Sequence, residues 1–155
     1  MDCMVDDQHF MNLALAQAEA AAEMGEVPVG AVVVRNGEVI SQAHNRREVD
    51  GDPTAHAELI AMKEAAKVIG DWRLEECTVY VTLEPCAMCA GLMVNARVQR
   101  CVYGATDPRG GFLGTLDDLS KHPVLNHRFE VESGVCGDDA ADLLRSFFRA
   151  VRAKK

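Results

Sequence analysis

Residues 77–96 read CTVYVTLEPCAMCAGLMVNA, and this stretch predicts a buried strand that leads directly into a helix. The apolar run Cys77–Leu83 has the length and composition of a buried strand. Pro85 suits a helix start, and the residues from Cys86 to about Ala96 are apolar on nearly every side. A helix without a polar face must be covered on two sides, once by the sheet and once by another helix or a partner subunit.

The residues before this unit predict a helix, a β-hairpin and a second helix, because each apolar segment is bounded by capping or turn residues. Asn36-Gly37 lies between two apolar runs, which is the strongest short hairpin signal. The predicted elements are a helix from Asp6 or Asp7 to Met24 that stops at Gly25, strands Val29–Val34 and Glu38–Ala43, and a helix that follows Asp52-Pro53-Thr54, runs to about Ile69 and stops at Gly70.

The residues after this unit predict two strands, a long loop and a last helix. The loop, Gly104–Arg128, is rich in Gly, Asp and Pro and has room for a short helix near Leu116–Leu119. A hairpin followed by βα units indicates one α/β domain over residues 1–155, a mixed sheet with helices on both faces. The remaining elements are the strands Gln99–Tyr103 and Phe129–Ser133 and a helix Asp138–Val151 capped by Asp138 or Asp139.

Composition and charge indicate a packed globular protein but leave the partner open. The chain is 48% hydrophobic and 26% charged, it has no apolar run of membrane-spanning length, and its acidic N-terminus does not resemble a secretory signal, so we expect a cytoplasmic protein. The net charge of −8 argues against a nucleic-acid partner. However, residues 145–155 carry five basic and no acidic side chains, which suits either a local RNA-binding rim or a helix end that complements the helix dipole.

Two short motifs carry the chemistry. His56-Ala57-Glu58 and Pro85-Cys86-Ala87-Met88-Cys89 each follow a helix-start signal, and together they offer one imidazole and two thiolates to a metal ion. Three protein ligands leave the fourth tetrahedral position of a zinc ion to water, which is typical of a catalytic site. Because Cys86 and Cys89 are three residues apart they share a helix face, and we expect His56 in the first turn of its helix with both helix N-termini directed at the metal.

The predicted reaction is hydrolytic deamination. Zinc lowers the pKa of its bound water toward about 7, and Glu58, which is not a ligand, can take a proton from this water and return it to a ring nitrogen and then to the leaving amine. This pair of motifs is a known signature of zinc-dependent nucleobase deaminases, tRNA-acting enzymes among them. The alternatives are a closed structural zinc site with Cys101 or His44 as fourth ligand, and a redox pair formed by the two cysteines.

The sequence resembles the bacterial tRNA-specific adenosine deaminases of the cytidine deaminase superfamily over nearly its whole length. The similar segments are TLEPCAMCAG (82–91), VPVGA (27–31), HNR (44–46), DPTAHAE (52–58), WRL (72–74), YGA (103–105), DP (107–108), NHR (126–128) and FFR (147–149). The resemblance implies a three-layer α/β/α fold with a mixed five-stranded sheet whose last two strands are parallel. It also implies a homodimer with one Zn²⁺ per subunit that converts the wobble adenosine of an arginine tRNA to inosine.

The resemblance also implies roles for eight residues beyond the metal site. Asn45 would hold the flipped base, in a pocket lined by Val27, Pro28 and Ala55. The residues that would contact the anticodon nucleotides are Asp107, Arg109, Asn126 and Phe148. Arg109 stands where the family often has Lys, and Asn95 where some members have His, which leaves the RNA contacts outside the pocket open.

Several interpretations remain open at this point. Asn45 could be a turn residue, Phe148 a core residue and Arg109 a solvated loop residue. A deaminase of a free base or nucleoside, of the guanine or cytosine type, shares the whole zinc argument and suits the acidic net charge. A non-enzymatic zinc or RNA-binding module is the third hypothesis.

Overall fold

A computed structural model describes the backbone from Cys3 to Lys154 and the side chains from Asp6 to Lys154, so the side chain of Cys3 lies outside the described residues. The helices are α1 (Cys3–Glu23), α2 (Arg47–Asp50), α3 (Ala57–Ile69), α4 (Ala87–Asn95) and α5 (Gly137–Ala153), with a 3₁₀ turn at Leu119–Lys121. The strands are β1 (Gly30–Arg35), β2 (Glu38–His44), β3 (Cys77–Leu83), β4 (Arg100–Ala105) and β5 (Glu130–Glu132). None of the helices in this described part is both long and apolar enough to cross a bilayer.

The five strands form one mixed sheet in the order β2-β1-β3-β4-β5. β1 is antiparallel to β2 and β3, whereas β3 and β4, and then β4 and β5, are parallel. The hairpin between β1 and β2 turns at Asn36 and Gly37, which adopt φ of 51° and 77° as a two-residue hairpin turn requires. The predicted mixed five-stranded sheet with an opening hairpin and parallel last strands is therefore confirmed.

Helices cover the sheet on both faces, as predicted. α3 and α4 pack on one face, and α1 and α5 pack on the other. Successive β1 side chains alternate between the two cores: Ala31 and Val33 pack toward α3 and α4, and Val32 and Val34 pack toward α1. Because both sheet faces are buried, the strands read as nearly continuous apolar runs.

Several predicted helix starts were wrong. α3 begins at Ala57 with His56 as its N-cap residue, so Pro53 lies in a turn before the helix and not in its first turn. α5 begins at Gly137 after Cys136, and Asp138 and Asp139 lie in its first turn instead of capping it. The short helix in the long loop forms about three residues later than predicted, and the single turn α2 was not predicted at all.

Asp7, predicted as a possible helix cap, instead joins α1 to the sheet. α1 begins at Cys3, which places Asp7 inside the helix, where it is 3% exposed. Its carboxylate accepts hydrogen bonds from both terminal nitrogens of Arg100, at 2.8 and 2.7 Å, and from the Tyr80 hydroxyl at 2.8 Å. The hydrogen bonds from Arg100 hold the pKa of Asp7 below its usual value. This bidentate ion pair therefore links α1 to β4.

Replacing Asp7 by Asn tests the contribution of this ion pair to stability. At pH 7 we expect Asp7→Asn to lower the free energy of unfolding by roughly 3 kcal/mol, because Arg100 loses its buried partner. The folded-state pKa of Asp7 lies below its unfolded-state pKa of about 3.9. The ion pair therefore makes its full contribution to the stability of the fold above about pH 3.9. This contribution is lost as the pH falls through the folded-state pKa. Urea unfolding of wild type and variant should therefore give converging stabilities below about pH 4.

The neighbouring Asp6 supplies the matched control for this experiment. Asp6 lies in the first turn of α1, where its negative charge interacts favourably with the helix dipole. Asp6→Asn should therefore lower the free energy of unfolding by less than about 1 kcal/mol. Equal losses at the two positions, or a loss at Asp7 that does not change with pH, would show that the ion pair does not stabilise the fold.

Candidate active site

The side chains of His56, Cys86 and Cys89 meet where α3 and α4 begin. His56 and Cys86 are the N-cap residues of the two helices, each with extended backbone, and Cys89 is the third residue of α4. The His56 Nδ1 atom lies 3.6 Å from the Cys86 Sγ atom and 3.6 Å from the Cys89 Sγ atom. All three potential ligand atoms lie within 4.8 Å of one another, so the two helix starts present a preformed donor set.

The donor set fits a tetrahedral zinc ion. Zn–N and Zn–S bonds of ordinary length at a tetrahedral angle separate the two donor atoms by about 3.6 Å, which matches the separations in the structure. Neither His44 nor Cys101 joins this group among the side chains described, from Asp6 to Lys154. The closed site with one of them as fourth ligand is therefore not the arrangement seen here.

The three donors share protons that a metal ion would displace. The hydrogen bond from Cys89 lowers the pKa of Cys86 to about 3, and the same bond raises the pKa of Cys89. The hydrogen bond to Cys86 raises the pKa of His56. A bound cation requires deprotonated thiolates and a neutral imidazole, so metal binding at this cluster releases protons.

Glu58 lies beside the donor set without belonging to it. Glu58 is 4% exposed, and its side chain lines a pocket that His56 and Cys86 also line. Burial raises the pKa of Glu58 to about 7, whereas a cation next to it would favour the charged form. A carboxyl group that titrates near neutral pH is suited to general acid–base catalysis.

A pocket of about 170 Å³ opens onto His56, Cys86 and Glu58. Of the residues predicted from the resemblance, Val27, Asn45 and Asp107 line it. Sequence analysis did not single out the other side chains of its wall, which are Val29, Arg47, Ala57, Leu83 and Glu84. Arg47 directly follows the quoted segment HNR (44–46), and Glu84 lies inside the quoted segment TLEPCAMCAG (82–91); these positions are the signal that could have marked them.

Comparison with known proteins identifies the family. A model of the MafB19-like deaminase family matches residues 5–152. A tRNA-specific adenosine deaminase of Bacillus subtilis is 50% identical over 152 residues, which cover 98% of this chain and 94% of that protein. A tRNA-specific adenosine deaminase of Aquifex aeolicus is 43% identical over 145 residues, with 94% and 95% of the two chains covered. The chain belongs to the tRNA-specific adenosine deaminase family.

Solved structures agree with this assignment. A structure from a study of A-to-I editing by tRNA:A34 deaminases at the wobble position of transfer RNA superposes with a TM-score of 0.85 at 43% identity, covering 88% of this chain and 99% of that one. A guanine deaminase from Nitrosomonas europaea shares the fold with a TM-score of 0.76 at 22% identity, covering 90% and 83% of the two chains. The family member described here thus has the fold of both kinds of deaminase.

Asn45 ties together two segments of the pocket wall in this deaminase. Its Nδ2 atom donates to the Val27 carbonyl at 3.2 Å, and its Oδ1 atom accepts from the Arg47 backbone N–H at 3.1 Å. Asn45 follows β2, so the turn interpretation describes its backbone. Its side chain keeps one further N–H and one further lone pair, which are the groups that could bind the edge of a base.

A buried carboxylate holds the wall next to Asn45. Glu26 is 1% exposed, and its two oxygens accept hydrogen bonds from the backbone N–H groups of Glu48 at 3.1 Å and Val49 at 2.8 Å. These donors belong to the first turn of α2 and have no partner within so short a helix. Glu26 therefore fixes α2, and with it Arg47, against the pocket.

The other residues predicted from the resemblance lie outside the pocket lining. Pro28 and Ala55 are buried next to lining residues, while Arg109 and Asn126 are exposed in the long loop. Phe148 is 43% exposed on α5 and packs edge-on against Phe147, so the core interpretation of Phe148 was wrong.

Proposed function

We propose that the protein converts adenosine to inosine at the wobble position of tRNA, with an arginine tRNA that carries a wobble adenosine as substrate. The observation that carries the proposal is an open His-Cys-Cys donor set beside a buried carboxyl group that is not a ligand. Relatives that are similar over nearly the full length and are named tRNA-specific adenosine deaminase support the choice of substrate. Because the substrate is tRNA, we also expect the enzyme in the cytoplasm.

The residues of the pocket divide the reaction between them. Zn²⁺ held by His56, Cys86 and Cys89 supplies, when bound, a water molecule of lowered pKa next to the base. Glu58 accepts a proton at its carboxylate from the attacking water and passes it to a ring nitrogen. Glu58 then takes the second water proton from the hydroxyl now bonded to the ring carbon and delivers it to the amine, so that the C–N bond breaks, ammonia leaves and the ring carbon keeps the oxygen as a carbonyl. Glu58 is suited to both transfers because it is buried in the pocket beside the donor set without belonging to that set.

RNA recognition is assigned to the pocket rim and to α5. The target base has to leave the stack to reach a buried donor set, and Asn45 and Val27 then border it in the pocket. Asp107 lies at the pocket, with Arg109 exposed two residues further along the same loop. The exposed Phe148 ring suits stacking on an unpaired base. The cations that suit phosphates are Arg145, Arg149 and Arg152 of α5 and Lys154 at its C-cap.

A deaminase of free bases is the second candidate. The observation that favours it is the net charge of −8, together with the fold shared with a guanine deaminase. That guanine deaminase is only 22% identical, whereas the tRNA deaminase structure is 43% identical to this chain. The two activities differ in salt dependence, because RNA binding releases counterions and weakens as salt rises.

Glu58→Gln tests the chemistry, and a substrate panel tests the proposal. We expect the zinc-loaded wild type to form inosine in an arginine tRNA with a wobble adenosine, and to release no ammonia from guanine, cytosine or adenine. Glu58→Gln should keep its zinc, measured by elemental analysis, but lose roughly 10²–10⁴-fold in turnover. Ammonia from free bases only, or full turnover by Glu58→Gln, would contradict the assignment.

Asn45→Ala tests the binding of the base edge. The substitution removes both wall contacts and leaves a buried base edge unpaired, so kcat/KM for the tRNA should fall by at least roughly tenfold at unchanged zinc content. Gln42→Ala, at an exposed position of β2, is the control and should have wild-type kinetics. Wild-type kinetics for Asn45→Ala would restrict Asn45 to its role in the turn.

We also propose that a second copy of the chain covers α4. The outward face of α4 is formed by four residues at helical spacing, which are Met88, Gly91, Leu92 and Asn95. This face is apolar except for Asn95, and Met88 is 37% exposed. An apolar helix face next to a catalytic pocket is typical of a subunit interface. The proposed assembly is a homodimer, and each subunit would hold one zinc ion at its own His56, Cys86 and Cys89.

Met88→Lys tests the dimer. A charge at the centre of the proposed interface should shift the mass measured by sedimentation equilibrium from two chains toward one. Met24→Lys changes a methionine of similar exposure, 43%, directly after the end of α1 and should leave the mass unchanged. A monomeric wild type, or a dimer that is insensitive to Met88→Lys, would remove α4 as the interface.

A further inference from the structure

Glu84, one residue before Pro85-Cys86, is a buried carboxylate that the proposed reaction does not use. It is 2% exposed, and its oxygens accept four hydrogen bonds. Oε1 accepts from the Asp107 backbone N–H at 3.1 Å and from the Thr115 hydroxyl at 2.5 Å. Oε2 accepts from the backbone N–H groups of Leu113 at 3.0 Å and Thr115 at 3.1 Å. All four donors belong to one loop, residues 107–115.

The main chain next to Glu84 holds the same loop. The Glu84 N–H donates to the Ala105 carbonyl at 2.8 Å, just before the loop begins, and the Phe112 N–H donates to the Pro85 carbonyl at 2.9 Å. The loop is therefore attached at its start, middle and end to the two residues that precede the metal-ligating Cys86.

Gly111 shows how closely the loop packs on this carboxylate. A Cβ atom at Gly111 would lie 2.3 Å from the Glu84 carboxyl carbon and 2.3 Å from Oε1. Such a distance is far below van der Waals contact, so only glycine allows the loop backbone to pass over the carboxylate. The close approach and the four hydrogen bonds are independent signs that loop and carboxylate form one unit.

The loop carries two of the side chains that we assign to RNA binding. Asp107 lines the pocket, and its Oδ1 atom accepts from the backbone N–H groups of Arg109 at 3.0 Å and Gly110 at 3.2 Å. The backbone N–H of Asp107 is itself held by Glu84. The direction of the Asp107 side chain and the course of the chain through Arg109 both depend on the Glu84 carboxylate.

We propose that Glu84 is a positioning residue for the RNA substrate: it holds loop 107–115 in the shape that presents Asp107 and Arg109 at the pocket mouth. The proposal rests on the proposed tRNA deaminase function. Glu84 acts on binding more than on chemistry, because His56, Cys86, Cys89 and Glu58 are placed by α3 and α4. A loop released from Glu84 has to be ordered each time RNA binds, and that conformational entropy weakens substrate affinity.

Glu84→Gln and a Thr115 pair test the proposal. Glu84→Gln keeps the size of the side chain but turns one acceptor oxygen into an NH₂ group facing N–H or O–H donors. Thr115→Val removes only the hydroxyl bond and keeps the side-chain shape, and Thr115→Ser restores the hydroxyl. Since Thr115 is exposed, its variants should fold even if Glu84→Gln does not. Asp7→Asn, which loses a buried carboxylate remote from the pocket, controls for loss of stability alone.

The first readout is steady-state kinetics with the zinc-loaded enzyme and tRNA. For Glu84→Gln we expect KM to rise by roughly tenfold or more while kcat stays within about threefold. Thr115→Val should raise KM by a few-fold, and Thr115→Ser and Asp7→Asn should retain the wild-type KM. A lost kcat at unchanged KM would overturn the proposal, because it would place Glu84 in the chemistry. Unchanged kinetics in folded Glu84→Gln and Thr115→Val would also overturn it.

The second readout does not depend on activity. Hydrogen exchange at the amides of Asp107, Leu113 and Thr115 should accelerate in Glu84→Gln, while the amides of β3 stay protected. If wild-type enzyme has no activity on tRNA, the proposed function fails, but the exchange data still show whether Glu84 orders the loop. Wild-type protection of the loop amides in Glu84→Gln would overturn the positioning role by itself.

Discussion

The site depends on one constraint: two helices must begin at the same point, each with a residue of the proposed metal-binding set at its N-cap. The extended N-cap backbone turns His56 and Cys86 away from their helices, and one helical turn brings Cys89 beside Cys86. β3 leads directly into α4, and α4 returns the chain to the parallel strand β4, so α4 has to lie flat on the sheet next to α3. The apolar composition of α4 is the consequence, since the sheet and α3 bury much of its surface.

Buried carboxylates hold the polar loops that form the walls of the pocket around the donor set. Loop backbone next to a pocket has N–H groups without regular partners, and such groups are costly when they are buried unpaired. Glu26 accepts two of them from α2 beside Arg47, and Glu84 accepts three from loop 107–115 beside Asp107. The two carboxylates thus support opposite parts of the wall while remaining outside the proposed chemistry, as supporting groups of a preorganised site do.

The sequence predicts what local patterns encode and misses what distant contacts decide. The apolar runs, Asn36-Gly37 and the two short motifs are local, and they were sufficient to predict the sheet, the hairpin and the clustering of His56, Cys86 and Cys89. Asp7 looked like a helix cap because its partner Arg100 is 93 residues away. Glu84 lay inside a quoted motif, but its donors are 23 to 31 residues away, so its role could not be read from spacing. The observed helix starts differ from the predicted ones for the same reason, because tertiary contacts decide which of several possible capping residues begins a helix.

The placement of the acidic side chains also bears on the apparent conflict between a net charge of −8 and an RNA substrate. Glu26, Glu58 and Glu84 are at most 4% exposed, and Asp7 is paired with Arg100. Three negative charges therefore belong to the interior around the pocket, where backbone N–H groups and, at Glu58, the proposed cation face them. The negative charge that a polyanion meets at the surface is smaller than the formal total, and the exposed end of α5 is basic. Formal net charge is a poor guide for this chain because part of it serves to build the site.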